Sequence, residues 1–259
     1  MKLTILGSGT YQPELERHGS AYLIETDNSK ICFDFGRGAI EQLLKVGVHV
    51  NQIDAVFITH WHSDHISDLM PLLQITISPP ADYGFWPVRK KPLQIYGPQG
   101  TLDKIKAMVG IIHEGPELKN LTIKELKDDD MVSGQSWQVK TFLTIHNPNI
   151  NPLCYRLEAE GKVFAYSGDT IKSEGLKRAI KDANLAVIEA GWPDEVQPKT
   201  HFTGSRAGKF AQEMGVKKLV ITHMAPIYMK NHNPQKDAES TFGQEVILAK
   251  DLMKIEICL

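Results

Sequence analysis

The chain contains the stretch His60-Trp61-His62-Ser63-Asp64-His65, in which three imidazoles and one carboxylate fall within six positions. An apolar run over residues 55–59 precedes it and predicts a buried strand, and apolar residues at helical spacing follow over residues 66–73. The stretch is therefore predicted to form a strand-to-helix turn, where side chains can converge on one point. Neutral imidazole and carboxylate are the ligands that a borderline divalent ion such as zinc prefers. The spacing predicts a metal site.

Length and composition are those of an ordinary globular protein. The 259 residues are enough for one large or two small domains with a substantial core. A formal net charge of -2 gives no overall attraction to nucleic acid or to an anionic membrane. A polyanionic substrate would therefore have to be attracted locally.

Cysteine usage and hydropathy indicate the compartment. The three cysteines, at positions 32, 154 and 258, are far apart and include no CxxC pair, which is typical of reduced residues in a cytosolic protein. The N-terminal apolar run is too short for a signal peptide, and no stretch approaches the roughly 18 apolar residues that cross a bilayer. We expect a soluble, cytoplasmic protein with no membrane partner.

Strand-like and helix-like patterns follow one another along the chain without a repeat or a clear linker. The strand-like runs cover residues 3–6, 21–25, 30–34, 55–59, 93–96, 138–145, 154–157, 163–167, 185–189 and 219–222. The helix-like patterns cover residues 38–46, 101–109, 173–179 and 204–214, the last with Thr203 as N-cap and Gly215 as its stop. These patterns predict an α/β fold in which two sheets are covered by helices.

Three further metal-type residues, His146, Asp169 and His223, directly follow strand-like runs. Four groups in one turn cannot all bind one tetrahedral ion, so the stretch 60–65 favours two ions and needs ligands from elsewhere. Because sheets collect ligands at strand ends, we predict that these three residues complete the site, and Asp169 could bridge both ions through its two oxygens. Taken singly, each could instead be a strand-end cap or a hydrogen-bonded core residue.

The chain resembles the metallo-β-lactamase superfamily, and specifically its ribonuclease Z-like branch, along nearly its whole length. The stretch 60–65 matches the superfamily signature H-x-H-x-D-H without a change. The motifs Leu6-Gly7-Ser8-Gly9-Thr10 and Ser167-Gly168-Asp169-Thr170 narrow the resemblance to the branch. Further stretches that resemble family motifs are Phe33-Asp34-Phe35-Gly36, Tyr96-Gly97-Pro98 and Thr222-His223.

The resemblance implies a fold, cofactors and ligands. The fold would be a four-layer αβ/βα metallo-β-lactamase sandwich, with two mixed sheets flanked by helices, formed by residues 1–259 as a single domain. The cofactors would be two Zn²⁺ ions per chain, with manganese or iron as alternatives. Their ligands would be His60, His62 and His146 on one ion and Asp64, His65 and His223 on the other, with Asp169 bridging. The branch is often dimeric, so a homodimer is expected.

The resemblance also implies catalytic roles. Two bound ions lower the pKa of a water molecule toward about 7 and neutralise charge on the attacked group, which favours phosphodiesters. Asp64 would accept a hydrogen bond from the attacking hydroxide. His201, in a His-x-Thr element, would act as general acid, and Glu189 would orient it, although the branch usually has histidine where this chain has Ile188. His201 could instead be an exposed helix-start histidine, and Asp34 either the partner of a ligand histidine or a turn cap.

The substrate is inferred from a difference between this chain and the branch. Ribonuclease Z proper carries a long tRNA-gripping arm between the positions matched by His146 and Asp169, which here are only 23 positions apart (169 minus 146). We therefore favour a phosphodiesterase acting on a small phosphodiester, such as a cyclic nucleotide or a cyclic ribosyl phosphate. A nucleic-acid partner is less favoured. The alternatives are a ribonuclease Z-type tRNA 3′-processing endonuclease, a lactonase, sulfatase or β-lactam hydrolase, and a non-catalytic nucleotide-binding module stabilised by metals.

The segment 78–91 is irregular, with prolines, aromatic residues and a basic end. Such a loop could cover a phosphate-bearing substrate. Because nothing in the segment defines a geometry, a surface loop with solvated charges is the favoured interpretation.

Overall fold

The computed structural model describes residues 1–78, 87–112, 118 and 120–258. Within these residues the strands are β1 Lys2–Gly7, β2 Ala21–Glu25, β3 Lys30–Phe33, β4 Ala55–Phe57, β5 Leu93–Gly97, β6 Leu121–Glu125, β7 Met131–Ser133, β8 Trp137–Leu143, β9 Leu153–Ala159, β10 Lys162–Tyr166, β11 Leu185–Glu189, β12 Leu219–Thr222, β13 Val246–Leu248 and β14 Lys254–Glu256. The helices are α1 Ala39–Lys45, α2 Ser63–Ile66, α3 Leu69–Ile77, α4 Thr101–Ile112, α5 Glu174–Ile180, α6 Gly204–Glu213, α7 Pro226–Asn231 and α8 Pro234–Phe242. Short 3-10 turns cover Val50–Gln52 and Asp194–Val196.

The strands form two seven-stranded sheets, in the orders β14-β1-β2-β3-β4-β5-β6 and β13-β12-β11-β10-β9-β8-β7. Strands β3 to β6 of the first sheet pair in parallel, as do β10 to β13 of the second. The remaining pairs are antiparallel. Both sheets are therefore mixed, as predicted.

The alternation of side chains along β4 explains how the sheets are layered. Ala55 and Phe57 pack into the core between the two sheets, whereas Val56 packs into the core on the outer face of the first sheet. Successive side chains of a strand point to opposite faces, so a strand that is apolar at every position must be covered on both sides. The continuous apolar run before the 60–65 stretch thus indicates a central strand.

Helices cover both outer faces. On the first sheet, α1, α3 and α4 pack through residues such as Leu43, Leu73 and Ile105. On the second sheet, α5 and α6 pack through residues such as Leu176 and Phe210, together with α8. The layers follow the order helices, sheet, sheet, helices, which confirms the predicted αβ/βα sandwich.

Strand direction brings the candidate site residues to one edge of the second sheet. Strands β8, β10, β11 and β12 all run the same way, because β9 is antiparallel to both β8 and β10. Their carboxyl ends lead to His146, Asp169, Glu189 and His223. Strand β4 of the first sheet leads to the 60–65 stretch, where α2 begins at Ser63.

The predicted elements are confirmed, with bounds that differ by at most three residues. Thr203 caps α6 by accepting a hydrogen bond from the Arg206 backbone N–H at 3.4 Å, and Gly215 beyond its end has φ 69°. The strands that the sequence analysis missed, β6, β7, β13 and β14, are the four edge strands of the two sheets. Edge strands are short or half-exposed, so their apolar pattern is weak.

Cys32 and Cys154 are buried and free, and Cys258 is exposed and free. Within the described ranges, no helix combines the length and apolar character needed to cross a bilayer.

Candidate metal centre

Four side chains from three segments form the first cluster of potential metal ligands. His60, His62, His146 and Asp169 each offer one ligand atom, and these atoms lie within 4.8 Å of one another. Nδ1 of His62 lies 2.9 Å from Nε2 of His60 and 3.3 Å from Nε2 of His146. Oδ2 of Asp169 lies 3.8 Å from Nε2 of His60. Ligands about 2.1 Å from a tetrahedral ion lie about 3.4 Å from one another, which these distances approach.

A second cluster contains Asp64, His65 and His223, with ligand atoms again within 4.8 Å of one another. Oδ2 of Asp64 lies 3.1 Å from Nε2 of His223 and 3.7 Å from Nε2 of His65. Oδ1 of Asp169 lies 3.2 Å from Nε2 of His65 and 3.4 Å from Nε2 of His223. Asp169 therefore directs one oxygen to each cluster.

Buried polar atoms that lack hydrogen-bond partners indicate whether these residues could bind a metal ion. Among the described residues, Nε2 of His65 and Oδ1 of Asp169 lie 3.2 Å apart, and both are buried without a geometrically satisfactory hydrogen bond. A buried polar atom without a partner costs about 1–3 kcal/mol. A divalent ion would satisfy both atoms, and imidazole with carboxylate is a donor set that zinc, manganese and iron accept. The residues therefore fit divalent metal ions.

His201 lies close enough to be a ligand but has a different partner. Its ligand atom lies within 4.8 Å of those of Asp169 and His223. Its Nδ1, however, is 2.9 Å from Oε1 of Glu189. The two clusters described above already engage Asp169 and His223, so His201 is better described as a neighbour of the centre than as a ligand.

Asp34 orients a candidate ligand. Its Oδ2 accepts hydrogen bonds from Nδ1 of His65 at 2.7 Å and from the Tyr166 hydroxyl at 2.8 Å, and its Oδ1 accepts one from the Thr59 backbone N–H at 2.8 Å. A carboxylate on one ring nitrogen fixes the tautomer and aims the other nitrogen's lone pair. The interpretation of Asp34 as the partner of a candidate ligand histidine is confirmed, whereas its other oxygen binds the backbone at the end of β4 rather than capping its own turn.

Backbone geometry positions His146 and His223. Nδ1 of His146 lies 2.9 Å from the carbonyl oxygen of Thr200, which orients its ring. His223 has φ 60°, in the left-handed region that non-glycine residues seldom adopt, so strain is accepted at this position. A Cβ at Gly191 would lie 2.3 Å from the carbonyl oxygen of His223, so only glycine allows this close approach.

The charge environment favours the metal-binding protonation states of His60 and Asp169 but not that of His65. Burial and the neighbouring His65 imidazole hold the pKa of His60 well below its usual value, so its ring is neutral. Burial opposes ionisation of Asp169, but the imidazoles of His223 and His65 hold the pKa of its carboxyl well below its usual range. Metal ions bind neutral imidazole and ionised carboxylate. Burial opposes a charged His65 ring, but the carboxylates of Asp169 and Asp34 hold the pKa of His65 well above its usual value, so a bound ion would have to displace a proton from this ring.

Glu189 connects His201 to the loop that carries Asp169. Its buried Oε1 contacts Nδ1 of His201 at 2.9 Å and accepts a hydrogen bond from the Thr170 backbone N–H at 2.8 Å. Burial disfavours a charged His201 ring, but the Glu189 carboxylate raises the pKa of His201 to about 9. A nearby divalent cation would lower that pKa again. Because Nδ1 is occupied, Nε2 is the nitrogen that can serve a substrate.

A cavity of about 470 Å³ borders both clusters. Asp64, Asp169 and His201 line it, together with the aromatic residues Tyr11 and Trp192. Its volume lies in the range of about 300–1,000 Å³ that is typical of small-molecule sites. Sequence reasoning missed both aromatic residues, although Tyr11 directly follows the motif at residues 6–10.

The interpretation of the 78–91 loop falls largely outside the described residues, because residues 79–86 are not among them. At its described end, Arg89 donates hydrogen bonds to the carbonyl oxygens of Ile53 and Val50, both at 2.7 Å. These contacts fix Arg89 at the Val50–Gln52 turn, and it does not line the cavity at the metal clusters.

Comparison with protein families identifies the class. The family described as the beta-lactamase superfamily domain matches residues 30–224. The matched region contains the 60–65 stretch, His146, Asp169 and His223. The chain belongs to the metallo-β-lactamase superfamily.

Individual relatives narrow the class. The chain is similar to the ribonuclease Z of Methanosarcina acetivorans, with 29% identity over an alignment of 311 positions, gaps included. The alignment covers 99% of this chain and 98% of the relative. Its structure is similar to human tRNase Z, short form, with a TM-score of 0.80, 26% identity and full coverage of both chains. The fold also matches the metallo-β-lactamase fold protein YhfI of Bacillus subtilis, with a TM-score of 0.80, 21% identity and 98% coverage of each chain. The chain is a ribonuclease Z-like member of the superfamily and a metal-dependent hydrolase.

Proposed function

We propose that the chain is a two-metal phosphodiesterase for small phosphodiesters, acting as one domain over residues 1–259. The observation that carries the proposal is the division of Asp169 between the clusters, with Oδ2 at 3.8 Å from His60 and Oδ1 at 3.2 Å from His65. In this proposal one divalent ion would be held by His60, His62 and His146 and the other by Asp64, His65 and His223, and Asp169 would offer one oxygen to each.

The remaining roles belong to side chains around the clusters. When bound, the ions supply hydroxide at neutral pH and neutralise charge on the phosphate. Oδ2 of Asp64 contacts His223, so its Oδ1 is left to accept a hydrogen bond from the attacking hydroxide. His201 delivers a proton from Nε2 to the leaving alkoxide, while Glu189 holds the opposite side of its ring.

Two features support a small substrate. Between His146 and Asp169 the chain contains β9 and β10, joined by a tight turn at Glu160-Gly161, and this hairpin takes up most of the available residues. The alignment with the Methanosarcina acetivorans relative covers 311 residues, at least 52 more than this chain's 259 (311 minus 259). The relative therefore carries segments without a counterpart here, which agrees with a missing tRNA-gripping arm.

A tRNA 3′-processing endonuclease is the second candidate. The observation in its favour is that proteins named ribonuclease Z and tRNase Z align with nearly the whole chain. Both candidates hydrolyse phosphodiesters with the same residues, and they differ in how the substrate is held.

The reaction class is tested with metal-replete protein on bis(4-nitrophenyl) phosphate, an aryl sulfate, a lactone and a chromogenic cephalosporin. We expect the highest kcat/KM on the phosphodiester, with activity lost on chelation and restored by Zn²⁺ or Mn²⁺. A higher kcat/KM on any other substrate would contradict the phosphodiesterase proposal. Tight nucleotide binding by metal-replete protein without hydrolysis of any ester would indicate the non-catalytic module instead.

A further inference from the structure

A second cavity, of about 370 Å³, adjoins the first and shares His201 with it as a lining residue. We call it the basic cleft. Its walls come from the loop after Asp169, the loop before His201 and helix α6 directly after His201. Its lining includes four cations, one acid and two aromatic residues, namely Lys172, Lys199, Arg206, Lys209, Glu213, Phe202 and Phe210. The same segments that place the candidate catalytic residues therefore also build this cleft.

Positive charge dominates the lining of the cleft. Four cationic side chains face a single acid, Glu213, which pairs with Lys172 at 2.9 Å. The hydrogen bond from Lys172 and the charge of Lys209 hold the pKa of Glu213 below its usual range. The lining thus carries a local excess of three positive charges in a chain whose formal net charge is -2. Such a site attracts a phosphate group locally.

The cleft also has an aromatic wall. Phe202 and Phe210 are buried and stacked, with ring centroids 5.8 Å apart. Nζ of Lys172 lies 5.3 Å from the Phe210 centroid, and Nη1 of Arg206 donates a hydrogen bond to the Pro198 carbonyl oxygen at 3.3 Å. Two of the cations are thereby fixed along the rim. Phe202 and Phe210 are only 3% and 2% exposed, so these rings support the cations from below and offer a ligand little apolar surface.

The position of His201 tells which part of the substrate enters the basic cleft. In the proposed function, His201 protonates the departing oxygen, so it stands beside the leaving alcohol. His201 lines both the cavity at the metal clusters and the basic cleft, so the cleft lies on a residue that the leaving alcohol contacts. We propose that the basic cleft binds a phosphate carried by the leaving alcohol. The substrate class is then a phosphodiester whose leaving group is a phosphorylated alcohol, such as a nucleoside monophosphate, and this assignment rests on the proposed function.

The bonds made and broken define this leaving group. Water adds to phosphorus as hydroxide, and the P–O bond to the leaving alcohol breaks. Nε2 of His201 gives its proton to the departing oxygen, and the proton lost by the water returns to the imidazole through solvent. The products are a phosphomonoester and an alcohol that keeps its own phosphate, which the cleft holds.

The test uses two isomeric substrates, the dinucleotide ApA with one extra phosphate on either its 5′ or its 3′ end. Product analysis shows which nucleoside leaves as the alcohol, and so which isomer carries its extra phosphate on the leaving group. We expect wild-type protein to favour that isomer by at least about tenfold in kcat/KM, because charge-assisted contacts to phosphate are strong. The triple variant Lys199→Gln, Arg206→Gln, Lys209→Gln should bring the ratio close to one. Both kcat/KM values are measured on the same preparation, so a lower fraction of folded protein reduces them equally and leaves their ratio unchanged.

A matched control separates the cleft from overall charge. The triple variant Lys181→Gln, Lys217→Gln, Lys218→Gln removes the same charge from exposed lysines that do not line the cleft, and it should keep the wild-type ratio. Loss of the ratio in this control would overturn the assignment to the cleft. Titration of adenosine 5′-monophosphate into metal-free protein gives an independent binding measurement, with a dissociation constant expected to rise at least about tenfold in the cleft variant.

The outcomes distinguish the two proposals. Hydrolysis of both isomers by wild-type protein with equal kcat/KM would overturn the cleft assignment and leave the proposed function standing. If wild-type protein hydrolyses no phosphodiester, the proposed function fails. The adenosine 5′-monophosphate titration then decides the cleft alone, and equal affinity in wild-type and cleft-variant protein would overturn it.

Discussion

Replacing Asp169 with asparagine is expected to reduce bound metal from two ions per chain to one or none and to lower phosphodiester hydrolysis by more than about 100-fold. Loss of a residue that only supports a ligand already costs about 10–100-fold in affinity or activity, and Asp169 contacts both clusters directly. The substitution keeps the shape of the side chain but removes its charge and one acceptor oxygen. Elemental analysis of metal per chain and initial rates at saturating Zn²⁺ measure the effect.

Asp27→Asn provides a matched control, because Asp27 is exposed in the turn between β2 and β3, where aspartate and asparagine serve equally well. It should keep two ions and full activity. An Asp169→Asn protein with two ions and wild-type rates would contradict the bridging role. A thermal melt of metal-free protein shows whether the variant is folded, so that a folding defect is not counted as a ligand effect.

Replacing His201 with alanine is expected to keep both ions and to lower turnover of a diester with an alkyl leaving group by about 10²–10⁴-fold, the usual contribution of a general acid. A nitrophenyl ester should suffer much less, because its leaving group departs without protonation. The comparison of kcat for the two esters measures this difference.

Glu189→Gln should reproduce a smaller part of the loss, since it keeps a hydrogen-bond acceptor beside Nδ1 of His201 but removes the charge.

His232→Ala is the control for the loss of an imidazole, because His232 lies outside both clusters. Its ring packs edge-on against Tyr228, with centroids 5.6 Å apart, and its Nδ1 lies 4.0 Å from Glu195. The kinetics of this variant should match those of the wild-type protein on both esters. Equal losses on the alkyl and nitrophenyl esters in His201→Ala would contradict proton transfer from this residue. Loss of an ion in the same variant would instead make His201 a ligand.

The layered fold and the membership of both clusters could be predicted from the sequence because their signals are local. The 60–65 stretch carries four potential ligands in one turn, and His146, Asp169 and His223 each follow a run of apolar residues. Because strand ends gather at one edge of a sheet, these residues could be predicted to lie close together although they are far apart in the sequence. Metal binding by each named residue stays a prediction, whereas their convergence is observed.

Other features needed the structure because one sequence pattern fits two arrangements. Asp34 could be a turn cap or a histidine partner, and only the fold shows that it binds His65 and, with its other oxygen, the distant Thr59 backbone N–H. Position 188 shows the opposite case, since the isoleucine there departs from the usual histidine of the branch. Ile188 packs toward the helices on the outer face of the second sheet, so the change leaves the contact between Glu189 and His201 intact.

The basic cleft could not be predicted for a further reason. Its cations come from separate segments, with Lys172 after β10 and Arg206 and Lys209 on α6. The formal net charge of the chain, -2, gives no sign of a local excess of positive charge. Only the packing of these segments around His201 creates a concave positive surface. This local positive surface allows a chain of small net charge to attract a substrate that carries phosphate.

The most direct test of the account compares two substrates on one metal-replete preparation, a small phosphodiester such as a 2′,3′-cyclic nucleotide and a precursor tRNA with a 3′ trailer. The measurement is kcat/KM for each under the same salt concentration, because tRNA binding depends strongly on salt. The proposed function predicts a higher kcat/KM for the small phosphodiester. A higher kcat/KM for the precursor, with cleavage at the trailer junction, would contradict it and identify the chain as a tRNA-processing endonuclease.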